Sequence, residues 1–192
     1  MRLQDRLPDG VTVEGKFYKL DFDFRNVLNM MHELNREDVM PEAMVYRALK
    51  CLTKHPKNAD KVLAAVNELL FDNEPKRDAQ KVTDFEQDAG LIRAAFRQAY
   101  NIDLYRDDLH WMEFVELLNA IPEGSRYSEV IGIRAKPIPA ATKWNAEERQ
   151  WLMKAKADVA LRLSEDEQSK QYDKDVGKIF TGLMGIIRGK DG

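Results

Sequence analysis

The chain has 192 residues and a mass of 22.2 kDa, enough to bury about 70% of its unfolded surface in a core that needs no staple. Apolar residues make up 44% and charged residues 33%, and 30 Lys+Arg against 33 Asp+Glu leave a formal charge of only -3. This is the composition of a globular domain with a well-charged surface, and it gives no basic footprint for nucleic acid or anionic lipid. The single Cys51 excludes an internal disulfide and four-cysteine zinc modules, and points to a reducing compartment.

Nothing in the sequence approaches the roughly 18 apolar residues of a membrane span, and the first ten residues lack the apolar core of a signal peptide. Val11 and Val13, then Glu14-Gly15, then Phe17, Tyr18 and Leu20 read as a small β-hairpin over 11–20, which must lean on the helices after it. Phe24, Val27, Leu28, Met31 and Leu34 lie on one face of a helix, with Asp21 or Asp23 as N-cap. Pro41 suits a first helical position, and Met44, Val45, Ala48, Leu49 and Leu52 repeat the spacing. A third helix carries Val62, Leu63, Val66, Leu69 and Leu70.

The polar run from Asp72 to Asp78, broken by Pro75, reads as a surface connection over 72–82. Thr83 and Glu86 stand at capping-box spacing before Phe85, Ala89, Ile92, Phe96 and Ala99, which predicts a helix starting at Thr83. Asn101 ends that helix, and Asp107 or Asp108 caps the next, whose stripe is Trp111, Phe114, Val115 and Leu118. Ser125 caps a short segment with Tyr127, Val130 and Ile131, and Pro137 and Pro139 then enforce an extended stretch. Asn145 and Glu148 form a second capping-box candidate ahead of Trp151, Leu152, Ala155 and Val159, and Ser164 with Glu167 restarts or extends that helix. Residues 164–175 contain no aliphatic side chain, and the last stripe is Val176, Ile179, Phe180, Leu183, Met184 and Ile187. Its glycines, Gly177, Gly182 and Gly185, each weaken a helix by about 1 kcal/mol relative to alanine. The fold class is therefore mainly α, a multi-helix domain over 1–140 opened by the hairpin, with further helices in 141–192.

Chemistry is thinly supplied. His110 and Glu113 are three apart on an expected helix and read as a surface pair, His32 and His55 as exposed, and Cys51 as a small, partly buried hydrophobe rather than a nucleophile. Counting from Asp103, a calcium loop fails, because its sixth position is Asp108 and its twelfth Phe114. There is no Gly-rich phosphate loop, no G-x-S-x-G and no H-E-x-x-H. The aromatic stripes, Phe85 with Phe96 and Trp111 with Phe114, read as core. The expectation is a protein that is not an enzyme, with no catalytic, cofactor-binding or metal-ligating residue. Ile179, Phe180, Leu183, Met184 and Ile187 are the candidate partner-binding residues: the glycine-weakened stripe folds against a partner, or else packs on its own helices or joins two copies.

One ordered series of residues goes further. Asp84-Phe85-Glu86-Gln87-Asp88-Ala89, Leu91-Ile92, Phe96, Gln98-Ala99-Tyr100 and Ile102-Asp103-Leu104 are followed by Leu109-His110-Trp111, Phe114, Leu117-Leu118 and Ile121-Pro122. With Asp23-Phe24-Arg25 before and Ile131-Gly132-Ile133-Arg134 after, this order resembles the bacteriophage gene-product-fifteen family of tailed phages and prophages, over roughly residues 15 to 140. The resemblance implies a protein encoded among tail genes and a tail assembly chaperone of the host cytoplasm. Its partners would be the tape measure or the tail tube, and the rival role is a completion or connector protein kept in the virion. The family carries no catalytic or cofactor residue to transfer, and the matching aromatic positions match as core.

Overall fold

A computed structural model of the chain describes residues 4–36, 38–71 and 82–162. Among these the protein is mainly α, with a two-stranded antiparallel hairpin ahead of seven helices. The chain divides into two compact units, one of residues 1–80 and 89–129, the other of residues 81–88 and 130–192.

The first unit opens with β1 (Gly10–Val13) and β2 (Lys16–Lys19), paired so that Val13 faces Lys16 and the loop is only Glu14 and Gly15. Both loop residues take positive φ, 51° and 75°, the turn whose twist matches that of the strands. Gly10 is required for another reason, since a Cβ there would lie 2.1 Å from the carbonyl oxygen of Tyr18. The ribbon leans on the next elements, as a ribbon this short must. Asn58 Nδ2 donates to the Tyr18 hydroxyl at 2.8 Å, and Lys61 pairs with Glu14 at 2.6 Å.

Helix α1 (Phe24–Leu34) starts at Asp23, whose carboxylate accepts the Arg25 amide at 2.9 Å. It buries Phe24, Val27 and Met30, while Leu34 is 36% exposed, so the inward stripe passes through Met30 rather than ending on Leu34. Helix α2 (Pro41–Leu52) has Pro41 in its first turn and buries Ala48, Leu49 and Leu52. Helix α3 (Ala59–Leu70) buries Val62, Leu63 and Val66. Helix α4 (Ala89–Tyr100) buries Ile92, Ala95 and Phe96 and gives way to Asn101 at φ 57°. Helix α5 (Trp111–Asn119) buries Trp111, Phe114 and Leu118.

The aromatic residues of α1, α4 and α5 meet at the centre of this unit. The Phe114 ring stacks on Phe24 at 4.8 Å, on Phe96 at 5.2 Å and on Trp111 at 5.8 Å between centroids. Tyr100 stands edge-on to Phe96 and donates its hydroxyl proton to the Leu117 carbonyl at 2.8 Å. The backbone closes the same layer, because Phe24 N donates to Leu109 O at 2.9 Å and Trp111 N to Phe22 O at 2.7 Å.

The expected helix start at Thr83 is corrected: α4 begins at Ala89, and residues 85–88 form a turn. The Asp84 carboxylate accepts the amides of Glu86 and Gln87 at 3.0 and 2.9 Å, so the cap stands one residue later than the Thr83–Glu86 spacing suggests. An ionised carboxylate is the stronger acceptor, and an Asx turn competes with helix at this point. Asp88, meanwhile, is drawn into a buried ion pair with Arg134.

Helix α6 (Arg126–Ala135) is capped by Ser125, whose Oγ accepts the Ser128 amide at 3.1 Å, as its sequence predicts. In the second unit the Arg134 guanidinium meets Asp88 at 2.7 and 3.0 Å and also donates to the carbonyls of Val82 and Val159. Helix α7 (Ala146–Asp158) begins after Asn145, yet no capping box with Glu148 forms. The Asn145 side chain is spent on the Thr142 amide and the Ala140 carbonyl, both at 2.8 Å. The stripe expected on α7 is corrected as well: Leu152 is buried, whereas Trp151 is 61% exposed. The connection from Asp72 to Asp78, the Ser164–Glu167 restart and the whole of 164–192 lie outside the described residues, and so do Ile179, Phe180, Leu183, Met184 and Ile187.

Candidate functional site

His110 is a helix cap rather than half of a surface pair. It occupies the N-cap of α5, the place expected for Asp107 or Asp108, and its Nδ1 accepts the Met112 amide at 3.1 Å. That bond leaves the proton on Nε2, which donates to the Pro8 carbonyl at 3.0 Å, while the ring stands edge-on to Phe22. Both ring nitrogens are engaged away from Glu113. A histidine cap has no strong sequence signal, since the usual caps Asp107 and Asp108 stand just upstream.

Those aspartates serve the loop before α5. Asp107 accepts the Asp103 amide at 2.7 Å, and Asp103 accepts the Tyr105 amide at 3.1 Å and pairs with Arg97. The backbone amide of Tyr105, and then the Arg97 guanidinium, hold the Asp103 carboxyl below the usual carboxylate range. Arg25 fastens this loop to the start of α1: its guanidinium pairs with Asp23 at 3.0 Å and donates to the carbonyls of Leu104 and Asp107 at 3.2 and 2.8 Å. Sequence spacing alone does not single out Arg25 or Arg134, because, Asp23 apart, their partners lie 79 to 83 and 25 to 52 residues away.

Two recesses lie beside α1. One, of about 530 Å³, is lined by Glu33, Ala43, Tyr46, Arg47, Lys50 and Cys51. Glu33 approaches Arg36 at 3.6 Å and Arg47 at 3.9 Å, and its Oε2 is buried without a hydrogen-bond partner. Burial, and then the Glu33 charge, push the Cys51 thiol upward, and its Sγ donates to the Arg47 carbonyl at 3.5 Å. A thiol so held stays protonated at neutral pH, so the recess is suited to ion pairing and hydrogen bonding rather than to nucleophilic attack. The other recess, of about 210 Å³, is apolar and is formed mainly by Met30, Met31, Leu34, Leu63, Val66 and Phe71. Methionine-rich walls adapt to the shape of an apolar occupant.

Elsewhere His32 and His55 are exposed, as expected. Among the described residues no group of three or more His, Cys, Asp or Glu side chains is placed to hold a metal ion. None of the described helices is long and apolar enough to cross a membrane. In the second unit large apolar side chains stand at the surface: Trp144 is 94% exposed, Trp151 61% and Met153 53%.

Compared with known proteins, residues 3–161 match a family model described as Bacteriophage Gp15 protein. The matched span covers the hairpin and all seven of the described helices, and runs past the 15–140 of the residue series into α7. No curated protein and no solved structure matches the chain.

Proposed function

The chain belongs to the Bacteriophage Gp15 protein family, which makes it a phage protein of the structural or morphogenetic class, and on that premise we propose that it is a tail assembly chaperone. In this reading it is not an enzyme. It works in the host cytoplasm and holds an aggregation-prone tail component, foremost the tape measure and secondarily the tail tube protein, until polymerisation begins. The observation that carries the reading is the family match over nearly the whole described chain.

The surface supports it. A tape-measure helix awaiting its tube must keep an apolar stripe covered, and a methionine-lined recess beside α1 and α3 suits one face of such a helix. Residues 176–187 offer a second grip in the same proposal, through Ile179, Phe180, Leu183, Met184 and Ile187.

Co-expression with the neighbouring tail genes, followed by pull-down, tests the partner directly, and the tape measure is expected in the eluate. Mass spectrometry of purified particles tests the role, because a chaperone is absent from the finished tail. Stoichiometric retention in particles would instead make the protein a completion or connector component.

A further inference from the structure

We propose that the free edge of β2 takes up an extended segment of a partner protein as a third strand, and that this segment alternates acidic with apolar residues. Such a strand is recognised by its chemistry, whether or not the chain is a chaperone.

The hairpin is a two-stranded sheet, so each of its strands has an unpaired edge. In an antiparallel pair only alternate residues exchange hydrogen bonds, and the residues between them turn N–H and C=O outward. Leu20 N donates to Asp9 O at 2.9 Å, in the same register that sets Tyr18 against Val11 and Lys16 against Val13. Lys16 and Tyr18 therefore bond to β1, and the amides and carbonyls of Phe17 and Lys19 point away from it. Among the described residues no other backbone group reaches these four.

A recess of about 240 Å³ runs along this edge. Its wall includes every residue from Lys16 to Leu20, although successive side chains of a strand stand on opposite faces, so the opening follows the backbone edge and not one face. Leu20, Leu49 and Val62, all buried, form its floor. The far side is the connection between α2 and α3, through Thr53, His55 and Lys57. Lys16, Lys19 and Lys57 thus bring three ammonium groups to an opening that no carboxylate lines, in a chain whose formal charge is -3.

These charges choose the occupant. Antiparallel pairing of β2 with the β2 of a second copy in full overlap would set Lys16 against Lys19, and lysine on an edge strand is a common guard against such pairing. An acidic strand meets the same lysines with the opposite sign. Its alternate residues face the apolar floor, which gives the occupant a two-residue period. Nucleic acid brings charge without the peptide groups that Phe17 and Lys19 can pair with, so the edge selects protein.

A fluorescein-labelled, end-capped octapeptide of alternating glutamate and valine is the probe, titrated into the full chain. Anisotropy reads its binding, and amide hydrogen exchange followed by NMR reads where it sits. We expect saturable binding, with exchange at Phe17 and Lys19 slowed several-fold and that at Lys16 and Tyr18 little changed. Lys16→Glu/Lys19→Glu, two exposed positions whose change should leave the melting temperature as it is, is expected to weaken binding about tenfold. Absence of saturable binding at millimolar peptide overturns the proposal, as does equal binding of the peptide with lysine in place of glutamate. Binding that leaves exchange at Phe17 and Lys19 unchanged would reduce the contact to charge attraction and overturns it too. So does protection of these two amides in the free chain that disappears on dilution, which would assign the edge to a second copy.

Discussion

Trp111 is 4% exposed and stands between Phe71 and Phe114, its ring centroid 5.8 Å from each. Truncation to alanine removes two aromatic contacts and leaves a void that a packed interior closes only in part. Trp111→Ala is therefore expected to destabilise the protein by about 3–5 kcal/mol, read by denaturant unfolding, and to accumulate as insoluble protein. A soluble variant of unchanged stability that had lost only a partner would make Trp111 a contact residue instead. At Asp84 the expectation is smaller and more local. Its carboxylate satisfies the amides of Glu86 and Gln87, so Asp84→Ala should cost about 1 kcal/mol, as for the loss of a helix cap. Equal melting temperatures for Asp84→Ala and the unaltered chain would remove that role.

Among the elements, the Arg134–Asp88 pair decides how the turn at 85–88 is tied to α6. The two side chains are 10% and 2% exposed, and the guanidinium also serves two carbonyls. Arg134→Met leaves a buried carboxylate without its counter-charge and is expected to cost about 3–5 kcal/mol. Adding Asp88→Asn to the same chain should recover part of the loss, and strict additivity in that double-mutant cycle would show that the pair is not coupled. This pair also marks where the sequence stops being legible. Stripes such as Ala48–Leu49–Leu52, Val62–Leu63–Val66 and Trp111–Phe114–Leu118 can be read from spacing alone, because a 3.6-residue period and apolar burial are local and additive. The start of α4 cannot, because Asp88 answers to an arginine 46 residues away and Asp84 outcompetes a nearby capping box. His110 reads as a surface residue in the sequence for the same reason, since its partner Pro8 lies 102 residues distant. Of the candidate site, the sequence shows the apolar pattern of 176–187, whereas the exposure of Trp144 and Trp151 depends on the fold.

For the whole molecule the question is what residues 176–192 contribute. The buried residues of the first unit run from β1 to Tyr127 in the first turn of α6, and α7 buries Leu152 while turning Trp151 outward. The three glycines of residues 176–187 raise the cost of ordering a helix there. In the proposed function the apolar stripe of this segment is buried against the tail protein rather than in either core. Removing residues 176–192 is accordingly expected to leave the melting temperature unchanged while abolishing retention of the tail protein in a pull-down. Calorimetry and the pull-down on the same preparation give both readings. A chain that melts much earlier or precipitates when shortened would place the segment in the core. Unchanged retention of the tail protein would move the grip elsewhere, to the methionine-lined recess beside α1 and α3, where Met31→Glu would then be the variant that loses the partner.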